Sequence, residues 1–209
     1  MELVVYNIKG EKTDKTVTLN DSVFEVTPND HAIYLDTKQY LANQRQGTHS
    51  SLEKSMVGGS TKKLKKQKGT GGARAGSRKS PLLRGGARAF GPHPRDYSFK
   101  LNKKLKKLAR LSALAYKVKE NNIMVIEDFN FSSPKTSSFA SVLSALKLEG
   151  RKTLMVLPEN IQNIVLSSRN LKKAKVTRAC DLNTYDILHA QNLILLVSSV
   201  SEIEKSFEN

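Results

Sequence analysis

The sequence has little of several residue types, and each scarcity excludes a class of protein. Its 209 residues include no tryptophan, one cysteine (Cys180) and only 6% aromatic residues. A single cysteine excludes an internal disulfide and is typical of a reducing compartment. The longest apolar run, LILLV at 193–197, is far shorter than the ~20 residues that a membrane-spanning helix needs. The N-terminal stretch MELVVYNIKG also lacks the pattern of a secretory signal, so we expect a soluble, intracellular protein with no membrane partner.

Acidic residues are missing from one internal segment. Residues 62–95 contain eleven Lys and Arg, seven Gly and no Asp or Glu. The wider window 60–110 holds 17 of the 35 basic residues but one of the 19 acidic ones, Asp96, and therefore accounts for the whole formal charge of +16. Because the rest of the chain is electrically balanced, this localised charge indicates a polyanionic partner and not a requirement of the fold.

The sequence on either side of this segment has the pattern of an α/β protein. Two β-rich runs joined around Gly10 predict a small N-terminal hairpin, and 28–47 predicts a helix ended by Gly47. The apolar face of that helix is predicted to contain Ile33, Leu35, Tyr40 and Leu41. Further along the chain, short apolar runs alternate with helical segments: IMVI at 123–126, LMVL at 154–157, KVT at 175–177 and LILLV at 193–197.

This alternation predicts a single α/β domain over residues 1–209, with a mainly parallel central sheet flanked by helices. The domain is interrupted at 48–97 by a long, extended, basic internal loop. The helix after the loop has an apolar stripe of Leu101, Leu105, Leu108, Leu111, Leu114 and Val118. Its basic residues fall mostly on other faces, which predicts one side for the core and another for an anion.

An α/β sheet also raises the hypothesis of an enzyme. The Gly-rich run KGTGGARAG matches neither phosphate-binding fingerprint and lies between two predicted helices, where those fingerprints do not occur. Glu127 and Asp128 follow the first central strand, a common place for metal ligands, so an α/β enzyme acting on RNA stays an alternative. The four histidines and Cys180 have no partner at ligand or catalytic spacing. We therefore predict no catalytic residue, no metal site and no cofactor.

The composition of the loop indicates how it binds its partner. Base-stacking surfaces need aromatic rings, and Phe90 is the one aromatic residue between 48 and 95. Binding is therefore expected to be mainly to phosphate, by Lys and Arg that displace counterions. A segment of this composition orders only on its partner, and about 25 residues in each direction at ~3.3 Å per residue reach up to ~80 Å. That reach suits a large folded RNA, although a free nucleic-acid chaperone with a basic arm remains a further alternative.

The run KKQKGTGGARAGSRKSPLLRGGARAFGPHPRDYSFKLNKK, at 65–104, resembles the signature region of the large-subunit ribosomal protein L-four family. Bacterial members commonly read near R-Q-K-G-T-G-R-A-R-x-G-S, followed by S-P, a G-G pair and a basic helix beginning K-x-N-K-K. The α/β units on both sides are similar to that family as well, so the resemblance covers essentially the whole chain.

The resemblance implies a non-enzymatic, cytoplasmic protein of the large ribosomal subunit that binds ribosomal RNA and aids subunit assembly. Its loop is expected to thread the large ribosomal RNA and to line the nascent-peptide exit tunnel, beside the loop of protein L-twenty-two and close to the nascent peptide. Other large-subunit proteins are further expected partners.

Site residues follow from the loop composition and from the resemblance. The expected tunnel tip is Gln67, Lys68, Gly69, Thr70 and Gly71. The expected ribosomal RNA ligands are the basic residues of the loop and of the next helix: Lys62, Lys63, Lys65, Lys66, Lys68, Arg74, Arg78, Lys79, Arg84, Arg88, Arg95, Lys103, Lys104 and Lys107. The sequence departs from the common bacterial pattern at three positions, with Leu64 and Lys65 in place of Pro and Trp, and Gly72 in place of Arg.

Overall fold

The computed structural model describes residues 1–208 and divides into two compact units. The first contains Met1–Leu41 together with the chain from Lys100 onward, and the second is Ala42–Phe99. The first unit is an α/β structure with a central six-stranded sheet. The second overlaps the segment 48–97, whose extension as a long loop stays a prediction.

The sheet of the first unit is parallel except at one edge. Its strands are β1 (Glu2–Tyr6), β2 (Lys12–Thr18), β3 (Ile123–Ile126), β4 (Thr153–Leu157), β5 (Ala174–Arg178) and β6 (Asn192–Leu196). They lie in the order β2-β1-β3-β6-β4-β5, with β2 antiparallel to β1 and every other neighbouring pair parallel. The predicted α/β class, mainly parallel sheet and N-terminal hairpin are confirmed.

Helices flank the sheet on both faces. They are α1 (Asp21–Phe24), α2 (Asp30–Asn43), α3 (Lys103–Lys119), α4 (Thr136–Ala145), α5 (Gln162–Ser168), α6 (Thr184–His189) and α7 (Val197–Glu208). A 3-10 turn at Ala179–Asp181 precedes α6. Within residues 1–208, no helix has the length and apolar character that a bilayer crossing requires.

The central strands are hydrophobic on both faces because both are covered. Along β4, Leu154 and Val156 pack in one core, with residues of α1, α3, α6 and α7, whereas Met155 and Leu157 pack in the other, with α4 and α5. Leu193, Ile194, Leu195 and Leu196 of β6 alternate between the same two cores. Burying each such side chain contributes about 1.5–3 kcal/mol, so these two strands are the centre of the fold.

Helix α3 packs more closely than its leucine stripe predicts. Leu114 is fully buried, as expected, but Leu105, Leu108 and Leu111 are half-buried. The other residues buried on this helix are mostly small: Ala109, Ser112, Ala113, Ala115 and Lys117. Small side chains let the helix backbone approach the core, so the leucines lie on the flanks of the contact and not at its centre.

The predicted apolar face of α2 is only partly buried. Ile33, Leu35 and Tyr40 are half-buried and Leu41 is 44% exposed, whereas the fully buried residues of this helix are Ala32 and Gln39. Polar contacts also orient the helix. Thr184 donates to Asp36 over 2.5 Å, and the Tyr116 hydroxyl donates to Asp30 over 2.5 Å. Hydrophobic periodicity does not detect such contacts, which explains why the sequence pattern indicated a different face.

Candidate nucleic-acid interface

The second unit is built from two chain segments that run past each other. Among the described residues, no helix or strand lies between Asn43 and Lys103. Backbone hydrogen bonds join the outgoing and returning segments: Arg95 N to Gly47 O (3.2 Å), Ser51 N to Pro92 O (3.0 Å), Arg88 N to Leu52 O (3.0 Å) and Leu64 N to Gly76 O (3.0 Å). The chain therefore reverses between Leu64 and Gly76, and the predicted tip residues 67–71 lie in that reversal.

An aromatic contact holds the base of this unit. The guanidinium carbons of Arg45 and Arg95 lie 3.9 and 4.6 Å from the centre of the Tyr97 ring. His49 Nε2 is 3.3 Å from the Tyr97 hydroxyl oxygen. Each cation–π contact contributes about 0.5–1 kcal/mol at an exposed site, so the two segments are joined here without a hydrophobic core.

Two glycines allow close packing of the chain in this unit, Gly47 between the two segments and Gly86 within the returning segment. Gly47 has φ +64°, and a Cβ there would lie 2.0 Å from the carbonyl oxygen of Arg95. A Cβ on Gly86 would lie 1.9 Å from the carbonyl oxygen of Ser80. Part of the glycine content therefore serves the packing of the chain against itself, a role that the sequence does not distinguish from close approach to a sugar-phosphate backbone.

The basic residues of 62–95 are presented to solvent, without carboxylate partners in the part of the chain that the structure describes. All eleven predicted RNA ligands between Lys62 and Arg95 are exposed, except Lys79, which is half-buried. Among residues 1–208, none of the eleven has a carboxylate oxygen within 4.0 Å. Such a set of like charges repels itself and attracts a polyanion.

Asp96, the one acidic residue of 60–110, does not offset that charge. Asp96 accepts hydrogen bonds from the backbone N–H of Ser98 (2.8 Å) and from its hydroxyl (2.7 Å). The backbone bond, followed by the hydroxyl bond, lowers the pKa of Asp96 below its ordinary value. Its carboxylate is thus used in a local turn, and the lysines and arginines stay uncompensated.

A cavity of about 610 Å³ lies inside the second unit. Four of its lining residues are basic: Lys62, Lys63, Arg78 and Lys79. Gly58, Gly59 and Gly85 form part of its wall, so backbone atoms line the cavity at these positions. A concave basic surface with exposed backbone suits a sugar-phosphate segment better than an apolar ligand.

The reversal has its own contacts. The Lys63 ammonium donates to the side-chain oxygen of Gln67. The Lys65 ammonium nitrogen lies 3.2 Å from the position that a Cβ on Gly72 would occupy. The Lys65 ammonium group thus lies beside Gly72. The common bacterial pattern has Arg at this position.

Helix α3 begins with positive charge at the end where negative charge is favourable. Lys103 and Lys104 are exposed in its first turn, which contains no acidic residue, and the Asn102 side chain makes no capping hydrogen bond. Each cation there costs roughly 0.3–1 kcal/mol against the helix dipole. Lys107, the third predicted ligand, is half-buried. An anion at this end satisfies both the free backbone N–H groups and the lysines.

Two exposed apolar side chains were not identified as site residues from the sequence. Phe90 is fully exposed and has φ +52°, an unusual backbone conformation for a bulky residue. Leu82 is 94% exposed. Phe90 is the one aromatic residue of 48–95, but no pattern in the sequence indicates that its ring is exposed.

The structure assigns structural contacts to the two carboxylates of the enzyme alternative. Glu127 pairs with Lys15 at 2.9 Å. Asp128 accepts from the backbone N–H of Ser198 (3.3 Å) and from its hydroxyl, at the first turn of α7. In the part of the chain that is described, no three His, Cys, Asp or Glu side chains are grouped as a metal site. Asp128 therefore acts as a cap for α7.

This assignment predicts unequal effects of two alanine substitutions. Asp128→Ala removes the acceptor for the free N–H of Ser198 and should lower the free energy of unfolding by about 1 kcal/mol. Glu127→Ala removes an exposed ion pair and should cost no more than about 0.5 kcal/mol. Urea denaturation of both variants measures the difference, and equal losses would contradict the capping role.

Comparison with known proteins agrees with the resemblance seen in the basic segment. A family model described as "Ribosomal protein L4/L1 family" matches residues 17–206. A relative from Parabacteroides distasonis, named "Large ribosomal subunit protein uL4", is 60% identical over 208 residues, which is 100% of both chains.

Relatives of the same name from other organisms are similar over comparable lengths. The protein of Porphyromonas gingivalis is 59% identical over 208 residues and 100% of both chains. That of Christiangramia forsetii is 56% identical over 204 residues and 98% of both chains. Because the family model covers most of the sequence and these relatives are more than half identical along essentially their whole length, the chain belongs to the ribosomal protein L4/L1 family.

Proposed function

We propose that this protein is a structural component of the large ribosomal subunit in the cytoplasm and binds the large ribosomal RNA. The observation that carries the proposal is the set of eleven exposed or half-buried cations, without carboxylate partners among the described residues, in the second unit. Relatives more than half identical over the whole chain are named as large-subunit proteins, which supports the choice of RNA.

Binding occurs chiefly through phosphate groups. The lysines and arginines of 62–95 neutralise the RNA backbone and release counterions, and the first turn of α3 adds Lys103 and Lys104. Lys107 is half-buried beside them. Since these positive charges lower the stability of the free protein and are neutralised in the complex, RNA binding and the ordering of 42–99 are coupled.

The segment 67–71 is the tunnel tip in this proposal. It lies in the chain reversal between Leu64 and Gly76, and Gly69 and Gly71 have nothing within 4 Å of where their Cβ atoms would be. An open, small-residue reversal with a charged side chain at Lys68 suits a wall that a moving peptide passes. By its resemblance to the family, this tip lines the exit tunnel beside protein L-twenty-two, and the arm also aids subunit assembly.

Two other functions compete with this proposal. A free nucleic-acid chaperone would spend its time off the subunit, whereas a structural component co-sediments with the large subunit at moderate salt in nearly all its cellular copies. An RNA-processing enzyme needs free catalytic carboxylates, and Glu127 and Asp128 are both in structural contacts. Family membership places the chain among ribosomal proteins and not among enzymes.

The salt dependence of RNA binding tests the proposed interface. Each phosphate contact contributes roughly 0.7–0.9 to the slope of log affinity against log salt, so Lys103→Ala with Lys104→Ala should reduce that slope by about 1.4–1.8. The measurement is filter binding to large-subunit ribosomal RNA transcribed in vitro, at several salt concentrations. Lys119→Ala with Lys135→Ala removes the same charge from two exposed lysines elsewhere on the first unit and serves as the control.

Equal slopes for the two double variants would mean that the first turn of α3 is merely solvated. A shallow slope for the unmodified protein would contradict phosphate binding by the second unit as well. These outcomes separate the contribution of α3 from that of 62–95.

Phe90 provides a second test because its ring is fully exposed. If the ring stacks on an unpaired base, Phe90→Ala should weaken RNA binding by about 1–3 kcal/mol. The salt slope should not change, since no charge is lost. Phe90→Tyr keeps an aromatic face and should retain most of the affinity. Binding that is unaffected by the alanine variant would exclude Phe90 from the interface.

Lys68 tests the tunnel role. Lys68→Glu places a carboxylate among phosphates, and repulsion should displace the tip without disturbing the α/β core, whose described clusters contain no residue of 42–99. We expect normal incorporation into subunits but altered sensitivity to macrolide-type drugs that bind in the upper tunnel. Drug sensitivity and nascent-chain stalling are compared in ribosomes purified at equal occupancy, with Lys68→Arg as the charge-preserving control. Unchanged behaviour in both assays would leave the arm as an assembly element without a tunnel role.

A further inference from the structure

The first unit has a concentration of positive charge far from the basic segment in sequence. Residues from the beginnings of β4 and β5 and from the end of α6 surround a cavity of about 270 Å³. Its basic lining, which we call the β4–β5 lysine surface, consists of Lys152, Lys172, Lys173, Lys175 and His189. None of these residues belongs to the predicted RNA ligands.

Three of the four lysines are held in place by neighbouring groups. The Lys152 ammonium nitrogen lies 3.0 Å from His189 Nε2. Lys173 donates to the carbonyl oxygen of Gly150 over 2.8 Å. Lys175 donates to both carboxylate oxygens of Asp186, each over 2.6 Å. Holding a long side chain in one position costs rotamer entropy, and these contacts offset part of that cost before a ligand binds.

The groups that hold these lysines are themselves fixed. The His189 ring stacks on Tyr185 at 5.7 Å with 9° between the ring planes, and Tyr185 stacks on Tyr40 at 4.8 Å. Asp186 is buried and accepts a further hydrogen bond of 2.9 Å from Asn183. The β4–β5 lysine surface is therefore preorganised before any ligand arrives, which reduces the cost of binding.

The charge of this surface is mostly uncompensated. Within residues 1–208, Lys175 is the member with a carboxylate within 4.0 Å, and Lys152, Lys172 and Lys173 have none. The ordinary explanation of such lysines is that they complement the C-terminal ends of helices. Helix α6 ends at His189 within this surface, so part of the charge has that role. Lys173 does not, because it donates to the carbonyl oxygen of Gly150, which lies outside the helices.

The hydrogen-bonding capacity of the cluster is also incompletely used. An ammonium group has three N–H donors, of which Lys152 and Lys173 use one each and Lys175 uses two. We propose that the β4–β5 lysine surface binds phosphate groups of RNA, as a second contact separate from the residues of 62–95 and from the first turn of α3. This contact goes beyond the function proposed above, because it assigns RNA binding to residues at the beginnings of β4 and β5, outside the basic segment and α3.

The lining suits the phosphate groups of a nucleic acid. Lys binds a phosphate as a point charge and does not need the planar fork of Arg for this, and a nucleic-acid backbone offers such charges in close succession. The cavity is lined by four Lys and no Arg. Its volume of about 270 Å³ suits one backbone segment and is below the usual range for a larger organic ligand.

The test uses the full-length protein and large-subunit ribosomal RNA transcribed in vitro. Lys152→Ala with Lys172→Ala leaves both the Lys173–Gly150 and Lys175–Asp186 contacts in place, so the fold is expected to be retained. The salt slope of binding should fall by roughly 1.4–1.8, as two phosphate contacts are lost. The control, Lys119→Ala with Lys135→Ala, should keep the slope of the unmodified protein. A variant that also carries Lys103→Ala and Lys104→Ala should show the two reductions added together.

A chemical probe provides an independent readout. Acylation of lysine amines in the RNA complex should be slowed at Lys152 and Lys172 but not at Lys119 and Lys135. A salt slope for the Lys152 and Lys172 variant equal to that of the control would overturn the proposal. Protection of these two amines that is absent with RNA alone and requires an added ribosomal protein would overturn it as well. If the Lys103 and Lys104 variant lowers the slope while this variant does not, the second contact fails and the function proposed above stands.

Discussion

Burial of β4 and β6 between two helix layers is the constraint on which the rest of the structure depends. The side chains of both strands alternate between the two cores, so every residue of β4 and β6 is buried. This arrangement gives the first unit a hydrophobic core that needs nothing from residues 42–99. Because that segment has no part in the core, its composition is not restricted by core packing. It can therefore hold many like charges that a hydrophobic core would exclude.

The second unit shows how a segment without a core is arranged. Only Ala87 is buried among the described residues of 42–99, and the two chain directions are joined by backbone hydrogen bonds and by the contacts of Tyr97 with two arginines. Interactions of this kind are individually weak, since a net hydrogen bond contributes about 0.5–1.5 kcal/mol. They define the order of the pairing and the place of the reversal, while the repulsion among cations opposes this arrangement in the free protein.

Electrostatics separates two kinds of basic residue in this protein. Some are used within the fold, such as Lys15 with Glu127, and Arg178 with Asp181. Others lie in 62–95, at the first turn of α3 and on the β4–β5 lysine surface, and among the described residues most of these have no carboxylate within 4.0 Å. If both proposed contacts bind the same RNA, the protein attaches to it through the second unit and through the β4–β5 lysine surface of the first unit.

The sequence by itself determined the class of fold and the chemistry of the main partner. Strand and helix periodicities depend on residues close together in the chain, so they predicted the parallel sheet and the hairpin around Gly10, and the absence of acids from 62–95 indicated a polyanion. Only the tertiary structure decided which face of α2 is buried, because Thr184 and Tyr116 bond to it from distant helices. It also decided that Asp128 caps α7 and that Lys152, Lys175 and His189 meet around one cavity. These contacts join residues far apart in the sequence, and their geometry depends on how the sheet brings strands and helix ends together, which local patterns do not contain.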